Sequence, residues 1–231
     1  MQNMTQTWTL EKFFARIYAV MAMGVGVSAV VSFMTLAFFP ENLRFFGNGA
    51  IFAVWILQIV LVMAIGGMSA KNSPMALPAF ILFSAVNGFT VSFTLAFYEI
   101  TTVFQAFITS AVMFAVLAVV GARTKKDLSG VGRAARAALI GLIIAILLNA
   151  FLFRSGAVGL LLSVVTVLIF SALIAWDNQR IKAVYMQNNG QVAEGWAIAM
   201  GLSLYLNFIN LFISILRIFG GMGGNNSRNR F

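Results

Sequence analysis

The 231 residues contain no histidine and no cysteine, and only six acids. Without cysteine there are no disulfides and no thiolate chemistry. Without histidine there is no Ser–His or Cys–His triad, no HExxH zinc site and no histidine pH switch. These absences count against a rhomboid-type or zinc-dependent membrane protease. Charge is scarce as well, at 9% of residues, whereas hydrophobic residues make up 61%. An ordinary globular protein is about 25% charged. A soluble fold must still offer a wetted surface and could not hide so much apolar side chain. A bilayer removes the difficulty by acting as the solvent. The net charge of +9 does not point to nucleic acid. The basic residues lie between apolar runs, where membrane topology needs them, and no basic groove with interleaved aromatics accompanies them.

What the chain does have is long apolar runs. Crossing about 30 Å of hydrocarbon at about 1.5 Å per residue takes about 20 apolar residues. Such runs lie at about 13–39, 50–70, 76–98, 102–122, 136–153, 156–176 and 197–219. The expected fold class is all-α: a polytopic membrane protein of seven transmembrane helices, forming a single membrane domain over 1–231. The first run exceeds a signal-peptide core of about 7–15 residues and reads as a retained span. The links at 71–75 and 154–156 are short enough to force tight antiparallel hairpins, while 123–136 and 177–196 read as polar loops. In span one, Gly24, Ser28 and Ser32 recur every fourth position, so another helix can approach closely there.

Lys and Arg divide unevenly between the two sides. The N-terminus and the links after spans two, four and six carry ten: Lys12, Arg16, Lys71, Arg123, Lys125, Lys126, Arg133, Arg136, Arg180 and Lys182. The other links carry Arg44 and Arg154. The positive-inside rule then places the N-terminus in the cytoplasm. Seven crossings put the C-terminus outside, which Arg217, Arg228 and Arg230 oppose. Either the tail is tolerated there or the last segment does not fully cross; seven crossings is the expectation.

Polar residues inside spans are the functional candidates, because a carboxylate at mid-bilayer costs at least about 2.5–3.5 kcal/mol. Glu11, Glu41, Glu99, Asp127 and Glu194 fall in terminal, loop or span-end positions. Asp177 remains, at the inner end of span six. It reads either as an interfacial helix-end residue paired with Arg180 or as a functional acid. In span seven, Ser203, Asn207, Asn210, Ser214 and Arg217 follow at steps of four, three, four and three. At about 100° per residue they share a stripe about 80° wide. That stripe is expected to face a partner helix or a hydrated cavity rather than lipid. It serves interhelical hydrogen bonding, a proton or cation path, or both. Weaker polar faces occur in span three (Ser84, Asn87, Thr94, Tyr98) and span six (Ser163, Thr166, Asp177).

Several stretches carry a family resemblance: Thr124-Lys125-Lys126-Asp127-Leu128-Ser129-Gly130, Trp176-Asp177-Asn178-Gln179-Arg180-Ile181-Lys182, Leu204-Tyr205-Leu206-Asn207-Phe208-Ile209-Asn210-Leu211-Phe212 and Leu216-Arg217-Ile218-Phe219-Gly220. In this order the chain resembles bacterial members of the Bax inhibitor-1 family, the transmembrane Bax-inhibitor-motif proteins. The resemblance implies six helices around a hydrophobic central seventh, and a pH-dependent cation leak, mainly of Ca²⁺. It implies a pH sensor or gate made of two aspartates, which map to Asp177 and Asn207. Here the chain departs from the pattern: the family's Asp-Phe-Ile-Asn is Asn207-Phe208-Ile209-Asn210, and its Asp-Thr-Gln is Asp177-Asn178-Gln179.

The departure has physical consequences. Two close carboxylates repel when both are ionised and so share a proton. An Asp–Asn pair lacks that repulsion, and the amide can donate to the carboxylate and favour its charged form. Any pH response is expected to be weaker, or shifted to lower pH. Ca²⁺ prefers six to eight oxygens, several of them charged. Asp177 therefore offers a weak, transient Ca²⁺ site at most, and no resident cofactor is expected.

Two readings follow. One is a pH-modulated cation leak channel. The other, also allowed by the resemblance, is a non-transporting interaction protein that modulates a membrane-embedded ATP-dependent protease or a stress response. Nothing supports an enzyme, since no span pairs a nucleophile with a base. Compact loops and the resemblance fit a bacterial plasma membrane.

Overall fold

The computed structural model describes residues 5–38 and 48–227. Arg44, Arg228 and Arg230, whose charges enter the topology count, lie outside the described residues. Among the described residues seven long helices follow one another: α1 (Leu10–Phe38), α2 (Asn48–Ala70), α3 (Ala76–Leu95), α4 (Ile100–Arg123), α5 (Ser129–Leu148), α6 (Gly156–Gln187) and α7 (Glu194–Ser227). Each contains a segment long and apolar enough to cross a membrane, in keeping with the all-α, seven-span expectation. Two strands of three residues, β1 (Thr5–Thr7) and β2 (Gln191–Ala193), pair antiparallel with Thr5 opposite Ala193.

The helices run further than hydropathy suggests. Most of the 123–136 stretch expected as loop belongs to α5, which begins at Ser129. Alanine-rich sequence favours helix there. Asp127 accepts hydrogen bonds from the Ser129 N–H at 2.9 Å and its hydroxyl at 2.6 Å, just before the helix. These two bonds, helped less by Arg133, hold its carboxyl below the ordinary range. Likewise α6 continues ten residues beyond Asp177. Its polar end keeps a helical apolar position, since Ile181 is fully buried. The hairpin between α5 and α6 is as tight as expected. A π-helical turn, Asn149–Phe153, is closed by Arg154 in the left-handed conformation, φ 47°.

Burial separates the spans. In α7, 67% of the span is buried, against 6% in α5 and at most 39% elsewhere. The seventh helix is thus the protein-facing one and α5 the most lipid-facing.

The chain packs as two compact units. The first comprises residues up to Phe97 together with Ala183–Tyr205. Its centre is the approach of α1 to α3. Ser28 Oγ donates to Ser84 O at 2.7 Å and Ser32 Oγ to Gly88 O at 2.6 Å. A Cβ on Gly88 would lie 2.5 Å from the Ser28 carbonyl oxygen, so only glycine permits this spacing. The small-residue repeat of α1 therefore serves α3. Tyr205 of α7 is fully buried in the same unit, edge-to-face with Phe80 and Phe83. Its hydroxyl meets Ser28 Oγ at 2.6 Å. Tyr205→Phe leaves the rings packed and removes one hydrogen bond. Such bonds contribute about 0.6 kcal/mol in membrane bundles, and unfolding in mixed micelles should show a loss of that size.

The terminal strand of this unit is held at several points. Trp8 Nε1 donates to Val192 O at 3.0 Å, and Tyr185 OH donates to Trp8 O at 2.9 Å. Phe13 stacks on Trp196 at 5.7 Å, and Arg16 Nε reaches Glu194 Oε1 at 2.6 Å.

The second unit comprises Tyr98–Lys182 and the chain from Leu206 onward. Ala135, Leu142, Ile169, Phe170 and Leu173 form a buried cluster between α5 and α6. Two glycines set the helix spacings around α6. A Cβ on Gly121 of α4 would overlap the backbone of Ala175, and one on Gly132 of α5 would overlap the Trp176 ring.

Candidate functional site

Asp177 and Asn207, the two positions singled out in the sequence, meet in the second unit. Asn207 Nδ2 donates to Asp177 Oδ2 at 2.7 Å. Both residues are buried, at 3% and 5% exposure, so the bond is shielded from solvent. A hydrogen bond to a buried charged group is worth about 1.5–3 kcal/mol, more than a neutral one. Asp177 does not end a helix, although one of its two readings required it to. It lies well inside α6, because the polar sequence after it stays helical.

The surroundings fix the pair from three sides. Gly121 lets α4 approach Ala175, two residues before Asp177. Asn178, fully buried, donates from Nδ2 to Ile174 O at 2.8 Å along its own helix. Beside Asn207, Phe208 lies edge-to-face with Phe107 at 5.7 Å and with Phe114 at 5.9 Å, and Phe212 meets Phe107 at 6.0 Å. Burial of both partners makes a dry setting, where a hydrogen bond is electrostatically stronger.

The remaining candidates divide. In the stripe of α7, Asn207 and Ser214 are buried, Ser203 is half-buried, and Asn210 and Arg217 are exposed. The expectation that the whole stripe avoids lipid therefore needs correction. At about 100° per residue, Asn207 and Ser214 fall on one flank of Ser203, and Asn210 and Arg217 on the other. The stripe straddles the border of the buried face. Asn210 answers its exposure by donating Nδ2 to Leu206 O at 2.8 Å, and Ser214 Oγ donates to Asn210 O at the same distance. Ser163 and Thr166 of α6 are buried but also donate to carbonyls four residues back. Arg180 is exposed, with its guanidinium 5.4 Å from the centroid of the Trp176 ring.

Gln179 was not singled out from the sequence, although it follows the Asp-Asn pair. Its Oε1 accepts from Leu128 N at 2.7 Å and its Nε2 donates to Lys126 O at 2.8 Å. It thereby clamps the link between α4 and α5 to α6. Lys182 adds a bond from Nζ to Ala122 O at 3.3 Å, near the end of α4.

Among the described residues, no three His, Cys, Asp or Glu side chains gather to hold a metal ion. Ca²⁺ takes six to eight oxygens. Asp177 supplies one carboxylate, engaged through Oδ2 with Asn207.

Comparison with known proteins places this geometry. A family model described as inhibitor of apoptosis-promoting Bax1 matches residues 10–225. The chain belongs to the Bax inhibitor-1 family. An uncharacterized membrane protein of Streptococcus pyogenes serotype M6 is 52% identical over 214 residues, covering 91% of this chain and 93% of its own. An uncharacterized protein of Lactococcus lactis is 50% identical, covering 94% of this chain and 93% of its own. One from Borreliella burgdorferi is 35% identical over 91% of this chain and 92% of its own. This Bax inhibitor-1 protein is thus a multi-pass membrane protein, similar to proteins from several bacteria.

Proposed function

We propose that this Bax inhibitor-1 protein is a cation leak pathway, with Ca²⁺ as cargo, in which the Asp177–Asn207 pair is the gate. The supporting observation is one buried carboxylate bonded across two helices by an amide, at 2.7 Å. Protonation of Asp177 would remove the charge from that bond and weaken it from about 1.5–3 to about 1 kcal/mol. The strength of the α6–α7 contact therefore follows the protonation of a single acid. With no second carboxylate to repel it, the response belongs at lower pH than in a paired-aspartate relative. In this reading the protein lies in the bacterial plasma membrane with its N-terminus on the cytoplasmic side, an orientation supported by the excess of Lys and Arg there.

Reconstitution into liposomes holding a fluorescent Ca²⁺ reporter, scanned across pH, tests this. Asp177→Ala should abolish the pH dependence of flux. Flux and pH profile untouched by that change would remove Asp177 from the gate. The loss of the second acid favours one further reading, an interaction protein that modulates a membrane-embedded ATP-dependent protease. Absence of flux at every pH, with a protease co-purifying, would select it.

A further inference from the structure

Asp177 and Gln179 leave α6 on opposite sides, since two positions turn through about 200° at about 100° per residue. By the same count Ala175, Gln179 and Lys182 fall within about 60° of one another, on the face turned away from Asp177. All three meet the end of α4 or the link that follows it. Gly121 lies against the Ala175 backbone, and Lys182 Nζ donates to Ala122 O at 3.3 Å. Gln179 Oε1 accepts from Leu128 N at 2.7 Å, and its Nε2 donates to Lys126 O at 2.8 Å. On its other face α6 receives the Asn207 amide.

A glutamine amide suits the grip, because its carbonyl accepts and its NH₂ donates, so one side chain satisfies both an N–H and a C=O of the link. The link is itself tied down. Asp127, between the two residues that Gln179 binds, accepts from the N–H and the hydroxyl of Ser129, where α5 begins. The segment that Gln179 holds therefore cannot simply follow α6 if that helix moves.

The grip lies almost level with the gate bond, because two residues advance only about 3 Å along a helix. The gate bond has little slack. N–H···O bonds fall within about 2.7–3.2 Å, so moving α6 away from α7 by about half an ångström takes the Asp177–Asn207 contact to the long edge of that range. Given the gate reading of Asp177, we propose that Gln179 is a positioning residue: by fastening α6 to the α4–α5 link it holds the Asp177 carboxyl within reach of Asn207. Gln179 and Leu128 are half-buried and Lys126 is exposed. Water can therefore take up the bonds that a substitution frees, and the fold survives the test.

Carboxyl-labelled aspartate gives a direct readout by NMR. The acids include only two aspartates, Asp127 and Asp177, and Asp177→Asn identifies the second signal. The full chain is measured in detergent micelles at about pH 8, above the ordinary carboxylate range. Asn207→Ala sets the position of the Asp177 signal with the amide donor gone. Gln179→Met keeps the length of the side chain without its amide, and should carry the signal at least about half of the way to that position. Gln179→Ala should do the same. A wild-type position in Gln179→Met would show that bulk alone suffices and would overturn the positioning role. So would an equal displacement in Gly88→Ala, which strains the other unit. An Asn207→Ala signal at the wild-type position would overturn it too, since there would be no bond to hold. If the carboxyl signal moves in the Gln179 variants but the pH dependence of liposome flux does not, the gate reading fails and the positioning role stands. A changed flux with an unmoved carboxyl signal overturns the positioning role and leaves the gate.

Discussion

Asn207→Asp is expected to move the pH midpoint of cation flux toward neutrality by about one unit or more. The wild-type pair has one titrating group, and Asn207 donates to it at 2.7 Å. The substitution keeps the size and position of the side chain and turns its amide into a second carboxyl. Two carboxylates held about 3 Å apart in a dry site do not both ionise, so the pair retains one proton to higher pH than a lone acid does. That shared proton can bridge the two carboxyls as the amide N–H bridges them now, so the α6–α7 contact should survive below the midpoint. Asn207→Ala makes the contrast. It leaves a buried carboxylate without this donor, a loss of about 1–3 kcal/mol, and adds no new titrating group. Losing a donor that favoured the charged form also raises the midpoint. With no second carboxyl to share the proton, however, the α6–α7 bond is absent at every pH, so the amplitude of the pH response should fall. Liposome flux at closely spaced pH values distinguishes these outcomes. If Asn207→Asp has the wild-type midpoint, the pair is not the sensor.

The scarcity of polar residues in the spans singled out Asp177, but its pairing with Asn207 was legible only because each sits in a stretch that the family shares. The depth of Asp177 was not. A window of hydropathy stops at Trp176 because Asp, Asn, Gln and Arg follow, yet those residues remain helical to Gln187. Polarity reports where lipid ends; it does not report where a helix ends. The stripe of α7 shows a different limit. Spacing places five polar residues on one side of a helix but leaves the direction of that side undetermined within tens of degrees. Asn207 and Asn210 consequently differ in burial although both belong to it. Hydroxyls are weaker signals still. Ser110, Ser163, Thr166 and Ser214 all donate to their own helix four residues back, so they need no partner across an interface. Tyr205 was hidden for the opposite reason: one phenol among apolar residues gives no periodic signal, and only the fold brings Ser28 to it.

The largest stability effect is expected from a single methyl group. Gly121→Ala should destabilise the protein by about 1–3 kcal/mol, the range for overpacking a well-filled interior. The added Cβ would overlap the carbonyl group and Cα of Ala175, which are backbone atoms and have no rotamer in which to escape. Either α4 moves away from α6, or α6 shifts and carries Asp177 with it two residues later. The variant should therefore lose helix packing and disturb the pH dependence of flux together. Gly88→Ala is the corresponding change in the first unit. There the Cβ meets Ser28 O at 2.5 Å, and separating α1 from α3 would also lengthen the Ser28–Ser84 and Ser32–Gly88 hydrogen bonds. Its effect should fall on stability without moving the midpoint of flux, because Asp177 belongs to the other unit. Gly141→Ala supplies the control. Nothing lies within 4 Å of its added Cβ, so the entropy of a helical glycine decides the sign and stability should rise by about 0.5–1 kcal/mol. Unfolding in mixed micelles ranks the three. Were Gly121→Ala as stable as Gly141→Ala, the close approach of α4 to Ala175 would not be what holds Asp177 in place.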